Sequence, residues 1–378
     1  MLKQFPLNLI GQDTEFFLWD PEKEKVIPSY KYFGKKEEEP KLGKTYHRDL
    51  NRKASKAQDH TFTQVFPPLG KGNLDASGNH VHVYRDGLAV EVNSEPTLCR
   101  AWLWQDVKLS LVLAEELKMP PRPFTYTSRP VVEVSPQLRA HFPEDLRRLG
   151  CNPTLDAYTK RQKVILLDPM KLPFRTSGSH LHSSFPCYLP EECWEPIVKL
   201  SDLLIGGPFS YIFHDPLEFK RRTLYGQAGE FRFQDYTTDS AFPCSGVEYR
   251  VLSSRLYNHP GVHSLFTGIW KYVVLPNYAF LWEFWDKAWE DDIREAINLG
   301  SEKAFQQILP LGQALLEKIA TSYTLAWDKT PPKEVSPVWT KLRLLNEEGA
   351  FPDAGVINNP HFPEAHRGWT EYRTDWDI

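Results

Sequence analysis

The chain has 378 residues and a formal net charge of −4, from 45 basic and 49 acidic side chains. A chain this long buries a large core without disulfides or metals for support. Its slight acidity excludes a polybasic nucleic-acid coat or membrane arm, which needs net attraction to phosphate. The cysteines Cys99, Cys151, Cys187, Cys193 and Cys244 are odd in number and form no Cys-x-x-Cys pair. A zinc ribbon or disulfide framework is therefore not expected, and a reducing, cytoplasmic setting is. The first twelve residues carry no apolar run of signal-peptide type, and no stretch reaches the ~18 apolar residues of a membrane span.

The spacing predicts a first strand over 7–19. A charged, turn-rich stretch follows from 21 to 60, including Lys35-Lys36-Glu37-Glu38-Glu39-Pro40, and reads as a solvated loop or a lid. Residues 78–94 read as strand with a turn at Asp86-Gly87. An amphipathic helix is predicted over 100–118, with Leu103, Val107, Leu111 and Ala114 at helical spacing and Pro120-Pro121 as its stop. Strands over 164–167 and 178–185 precede a helix over 191–204, ended by Gly206-Gly207-Pro208. Two further strands are predicted over 223–233 and 246–253. From 262 to 327 the pattern is helical, broken near Pro276, Gly300 and Pro310. Residues 1–328 read as one catalytic domain with an insertion at about 21–62, and 329–378 as a proline- and tryptophan-containing extension without periodicity. Strands and helices are mixed, with helices gathered late, which predicts an α+β fold rather than βαβ alternation. There is no Gly-x-Gly-x-x-Gly and no P-loop motif.

One pattern recurs along the predicted strands. Polar residues sit two apart around a single apolar or neutral one: Asp13/Glu15, Glu91/Asn93, His180/His182, Glu230/Arg232 and Glu248/Arg250. In a strand, residues two apart share a face. One such pair alone suits the wet side of an antiparallel sheet. Five pairs rich in Glu, His and Arg do not, because a merely solvated face carries more Lys, Thr and Ser. Carboxylates with histidine are ligands for divalent metals, and oxygen-rich sites favour magnesium or manganese. Arginines on the same face suit phosphate oxygens. Together they describe a phosphoryl-transfer site without a P-loop.

The segments carrying these pairs also resemble a known family. Gly11-Gln12-Asp13-Thr14-Glu15-Phe16, Asp86-Gly87-Leu88-Ala89-Val90-Glu91-Val92-Asn93, Ser177-Gly178-Ser179-His180-Leu181-His182 and Gly246-Val247-Glu248-Tyr249-Arg250 occur in this order. They resemble the phage-encoded carboxylate–amine ligases, amidoligases of the glutamine synthetase-like superfamily. Arg221-Arg222-Thr223-Leu224-Tyr225-Gly226 through Glu230-Phe231-Arg232, and Gly150-Cys151-Asn152-Pro153-Thr154, resemble further stretches of that family. The resemblance spans roughly residues 5–270.

The resemblance implies a curved, mostly antiparallel sheet with helices on its convex face and ATP and magnesium, or manganese, on its concave face. It implies that a carboxylate is phosphorylated and an amine then displaces phosphate. On matching positions it implies metal ligands at Glu15, Glu91, His182 and Glu248, with His180 beside them. It implies phosphate or nucleotide contacts from Arg222, Arg232 and Arg250, and catalytic roles for Asp13, Glu15 and Arg250. Two positions depart from the family: the first acid is Asp13 rather than Glu, and Ser179 stands where a glycine is expected. The implied partners are small-molecule or peptide carboxylates and amines. No membrane is implied, nucleic acid is not expected from the net acidity but is not excluded by it, and a homo-oligomer is compatible. A phage-encoded member would work in the host cytoplasm.

Other readings compete. His80-Val81-His82 with His180-Leu181-His182 suits a zinc-dependent hydrolase, although further ligands at hydrolase spacing are missing. A non-catalytic binding protein that retains the fold is a third reading. Cys151 and Cys244 have no assignable histidine partner as nucleophiles. Trp282, Trp285 and Trp289 read as packing, and His361 and His366 as exposed loop residues.

Overall fold

The computed structural model describes residues 8–31, 62–66, 79–94, 125–147, 154–163, 167–185, 189–235, 245–321, 334–351 and 353, and positions 97, 100, 103, 104 and 107; at 62–66 and 79–84 the description is of backbone alone. Thirteen strands are described: β1 Leu9–Asp20, β2 Lys25–Ile27, β3 Phe62–Phe66, β4 Asn79–Asp86, β5 Ala89–Ser94, β6 Thr125–Thr127, β7 Val131–Glu133, β8 Thr154–Asp156, β9 Arg161–Lys163, β10 Phe174–Thr176, β11 Ser179–Phe185, β12 Glu230–Asp235 and β13 Ser245–Tyr249. The main sheet runs β3-β4-β5-β1-β11-β13-β12-β8-β9, with β2 and β6 on the far end of β1. Each described pairing in it is antiparallel. The fold is α+β, with this antiparallel sheet as its centre.

Strand alternation decides where the helices go. On β1, Ile10, Phe16 and Leu18 are buried, and they join Val90, Val92, Leu181, Val247 and Tyr249 from neighbouring strands in one core. Helical residues Ile197, Leu204, Phe209, Ile212, Phe266 and Ile308 fill its other side. The residues between them on β1, Asp13 and Glu15, therefore face away from the helices. A smaller core of Phe17, Leu88, Ala89, Val132, Val134 and Phe142 closes one end of that second face.

The prolines open helices as well as stopping them. Pro136, Pro216, Pro260 and Pro337 each follow a residue, Ser135, Asp215, His259 or Ser336, whose side chain accepts a first-turn N–H. Proline costs nothing there, because its missing N–H would have no helical partner. Pro276 likewise sits in the first turn of Leu275–Trp282, whereas Pro310 lies inside Glu302–Thr321 without ending it.

Three expectations are corrected. Gly206-Gly207-Pro208 does not end the helix that begins at Trp194: a π-helical segment, Asp202–Gly206, leads directly into Gly207–Ile212. The glycines are there for close approach. A Cβ at Gly206 would lie 2.5 Å from Tyr249 Oη, and one at Gly207 would lie 2.7 Å from Ile308 Cδ1. The strand expected over 223–233 begins only at Glu230, because Pro216–Arg222 is helical and the chain turns through Gly226 and Gly229. Beyond 329, where no periodicity was read, Pro337–Glu347 is a helix that buries Trp339 and Leu342 in the main core. Just past it, Asp353 lies 3.2 Å from buried Arg255, which also pairs with Asp215 at 2.8 Å, and Phe351 O accepts from Asn258.

Of the helix expected over 100–118, the described positions Arg100, Leu103, Trp104 and Val107 are helical. The strand expected at 164–167, the stretch 32–61 read as loop or lid, Cys151, Cys244, His361 and His366 lie outside the described residues, Leu167 excepted.

Candidate functional site

The strand registers set the polar residues in cross-sheet rows. In the first row, Gly11 pairs with His182, His182 with Glu248, and Glu248 with Arg232. In the second, Asn93 pairs with Asp13 and Asp13 with His180, and the Arg250 N–H bonds Glu230 O. In the third, Glu91 pairs with Glu15, whose own N–H donates to Gly178 O at 2.9 Å. Directly opposed residues share a face. Period-two alternation thus gathers acids, imidazoles and guanidiniums from β5, β1, β11, β13 and β12 on the face away from the helices.

Contacts knit the rows together. Asp13 Oδ1 lies 2.9 Å from His180 Nδ1, and its Oδ2 lies 3.1 Å from His182 Nε2. His180 Nδ1 is also 3.3 Å from Glu248 Oε1, which pairs with Arg250 Nη1. The other Glu248 oxygen accepts from Gln234 at 2.8 Å and lies 3.5 Å from Arg232 Nη1. Glu15 Oε2 accepts the Gly178 N–H at 2.7 Å.

Two ligand groups emerge. Ligand atoms of Asp13, His182 and Glu248 lie within 4.8 Å of one another, and so do those of Glu15, Asp86 and Glu91. The expected quartet of Glu15, Glu91, His182 and Glu248 is therefore divided between two neighbouring groups rather than gathered at one point. Asp13 joins one group and Asp86 the other. Asp86, at the end of β4, was read only as part of a turn.

Electrostatics separates the groups. Burial would raise the Asp13 carboxyl, but the His180 and His182 imidazoles outweigh it and hold Asp13 well below the usual range. Burial likewise opposes the lowering of Glu248, which His182 and Arg250 bring about. Glu15 goes the other way: burial, then the Asp86 and Asp13 charges, push it up to about 8. Like-charged carboxylates held this close need either a proton or a cation between them. Both ligand sets are mainly carboxylate oxygen with at most one imidazole, which suits magnesium or manganese better than the nitrogen- and sulfur-rich sites of zinc.

The arginines fall in different places. Arg250 lines a cleft with Glu15, Asp86, His180, Tyr225 and Arg221. Arg232 stands at the Glu248 end of the face, partly exposed. Arg222, expected to meet phosphate, is buried in the helical layer. Its Nη2 donates to Ser210 at 2.8 Å and lies 3.6 Å from Glu218. Its neighbour Arg221 reaches the cleft instead, but spends its donors on the carbonyls of Ser177, Arg250, Val251 and Leu252. The backbone register pairs His82 with Asn93, while the side chains of His80 and His82 lie outside the description. Trp282, Trp285 and Trp289 pack against the main core.

No protein-family model matches the chain, and no curated protein does. Among solved structures, the crystal structure of the complex between the prokaryotic ubiquitin-like protein Pup and its ligase PafA is similar at a TM-score of 0.39 and 11% identity, over 94% of this chain and 67% of that one. No described helix is long and apolar enough to cross a membrane.

Proposed function

We propose that this chain is an ATP-dependent carboxylate–amine ligase that works through an acyl phosphate. The observation that carries the reading is the pair of adjacent carboxylate-rich groups, Asp13/His182/Glu248 and Glu15/Asp86/Glu91, flanked by Arg232 and Arg250 on one sheet face. A carboxylate resists amines because its charge repels the nucleophile and oxide is a poor leaving group. Transfer of the ATP γ-phosphate supplies a good leaving group but crowds negative oxygens together. Divalent cations held by the two groups would supply opposing charge. Arg232 and Arg250 would bind the phosphate oxygens from the β12–β13 side. The amine must then lose a proton. Asp13, 2.9 and 3.1 Å from two imidazoles, can accept it.

A zinc hydrolase is less well supported. Of the His-x-His strand only His182 falls in a ligand group, beside two carboxylates, whereas zinc sites gather more nitrogen or sulfur.

The test is ATP turnover with magnesium in the presence of carboxylates and hydroxylamine. A ligase of this type forms a hydroxamate, with ADP and phosphate released in step, and Glu248→Gln abolishes it. AMP and pyrophosphate would mean an adenylate and would overturn the acyl-phosphate mechanism. Metal-dependent hydrolysis without ATP would favour the hydrolase.

A further inference from the structure

The end of β13 puts Glu248 and, just past it, Arg250 on the face away from the helices. The residue between them, Tyr249, points the other way and is buried in the helical layer. Its ring stacks on that of Trp270, centre to centre at 5.7 Å, and its hydroxyl donates to Asp202 Oδ1 at 2.7 Å. The other oxygen of Asp202 accepts the Gly229 N–H at 2.6 Å. Gly229 immediately precedes β12, whose Arg232 stands beside Glu248. One buried carboxylate therefore ties down both segments that carry Glu248, Arg250 and Arg232, and it does so from behind the sheet.

The surrounding backbone is shaped around this contact. Asp202 opens the π-helical segment Asp202–Gly206, and Gly206 at its other end leaves room for the Tyr249 hydroxyl, since a Cβ there would lie 2.5 Å from it. Such π-helical insertions recur at functional positions. Gly229 has φ +84°, and a Cβ on it would lie 2.6 Å from the Tyr158 ring and 2.8 Å from Asp156 Oδ1. Stability does not account for the carboxylate. Burial outweighs the Tyr249 and Gly229 donors and pushes Asp202 up to about 7. A carboxyl raised in the folded state takes stability away as pH rises through its folded value, so above that value the fold holds this charge at a cost. Nor does it touch substrate, because it lies on the helical side of the sheet. What it does is hold two strand segments in one relation.

We infer that Asp202 is a positioning residue: by holding the Tyr249 hydroxyl and the Gly229 N–H at once, it sets where Glu248 and Arg250 stand relative to Arg232. The phosphate-binding role of the two arginines rests on the ligase reading, but their placement can be measured without turnover.

The experiment compares wild type with Asp202→Asn, which keeps the side-chain shape but leaves one acceptor oxygen for two donors. Heteronuclear NMR follows the Nε–Hε resonances of Arg232 and Arg250, each identified by its loss on substitution with lysine. Both should move in Asp202→Asn. The resonance of Arg139, which bonds the Val134 and Leu172 carbonyls, should stay and serves as control. Tyr249→Phe releases only the β13 side, so Arg250 should move more than Arg232, and this variant carries the test should Asp202→Asn fail to fold. In turnover, the KM for ATP should rise about tenfold in Asp202→Asn with kcat within roughly threefold, because the phosphate contacts are misplaced rather than removed. Unmoved Arg232 and Arg250 resonances in a folded variant overturn the inference and leave Asp202 a purely structural tie. A kcat that falls while KM for ATP holds overturns it too, because misplaced phosphate contacts would show in KM. Moved resonances in a protein that binds no ATP would sustain the positioning role and refute the ligase reading.

Discussion

The Asp13 carboxylate bridges both imidazoles of its neighbouring strand, 2.9 Å from His180 Nδ1 and 3.1 Å from His182 Nε2. One acid thereby acts on two bases, and it prevails at only one of them. For His182, burial acts to lower the affinity for a proton, but Asp13 and then Glu248 outweigh it, and the imidazole sits above its usual range. For His180, burial and the nearby Arg250 win, and it sits below. Asp13→Asn removes the charge and leaves the burial. The midpoint of His182 should then fall below 6.5 in the metal-free protein, as followed by NMR of the histidine ring carbons. An unmoved midpoint would show that Asp13 does not control it.

The second group predicts a response to metal. Glu15 is raised to about 8, so between its unfolded value near 4.5 and pH 8 the folded state holds a proton that the unfolded state releases. The metal-free protein therefore loses stability from Glu15 as pH rises through this window. A divalent cation replaces the proton, and its stabilisation should be larger at pH 8.5 than at pH 6.5. At a hundredfold excess over the dissociation constant it amounts to about 2.7 kcal/mol. Thermal unfolding with and without magnesium measures this, and Asp86→Asn should reduce the difference between the two pH values.

His263 gives an acid limb. It is fully buried, its Nε2 lies 2.8 Å from Gln12 Oε1, and burial together with Arg100 depresses it to about 3. A base depressed in the folded state contributes stability above its unfolded value and loses it as pH falls from about 6.5 toward 3. The slope is about 1.4 kcal/mol per pH unit. Other groups titrate in the same range, so the difference between wild type and His263→Gln isolates it. Urea unfolding at pH 7, 5.5 and 4.5 should show that difference shrinking as the pH falls.

Arg222 and Arg250 should behave oppositely on substitution. Arg222→Leu removes one of two guanidiniums beside buried Glu218, which keeps Arg255 at 3.9 Å and the Ser253 hydroxyl, and should cost on the order of 1–3 kcal/mol of stability. The KM for ATP of the folded protein should be unchanged, because Arg222 lies on the helical side of the sheet. Arg250→Ala should raise that KM instead. Denaturation curves paired with ATP kinetics on both variants decide the matter, and a raised KM in Arg222→Leu would contradict the placement.

Gly226→Ala tests the loop that holds Arg221. Gly226 has φ +74°, and a Cβ there would overlap Arg221 Nη1. The left-handed backbone alone costs about 1–2 kcal/mol. Displacing Arg221 adds to this by uncapping the carbonyls of Ser177, Val251 and Leu252. Urea unfolding should show a loss above the backbone cost alone, and a neutral substitution would mean that Arg221 adapts freely.

Much of this face was legible because strand periodicity is simple. Asp13, Glu15, Glu91, His180, His182 and Glu248 reach one side by alternation alone, and antiparallel register does the rest. Asp86 was missed because it ends its strand at the turn, where alternation stops giving information. The exchange of Arg221 for Arg222 came from reading Thr223-Leu224-Tyr225 as strand. On the helix Pro216–Arg222, successive residues point about 100° apart, so only one of the two can face the cleft. The Asp215-Pro216 start signal was in the sequence and would have corrected it. Division of the ligands into two groups depends on which carboxylates meet across three strands, and no single segment encodes that.

The contact of Arg255 with Asp353 bears on how the protein is made. Arg255 follows β13 closely, and its buried charge is shared among Asp215 and Glu218, upstream, and Asp353, nearly a hundred residues later. During synthesis, Arg255 would have Asp215 and Glu218 beside it but lack Asp353 until that residue leaves the ribosome. The segment that follows Glu248 and Arg250 thus gains this last counter-charge only after residue 353 has been made, long after the acids of β1.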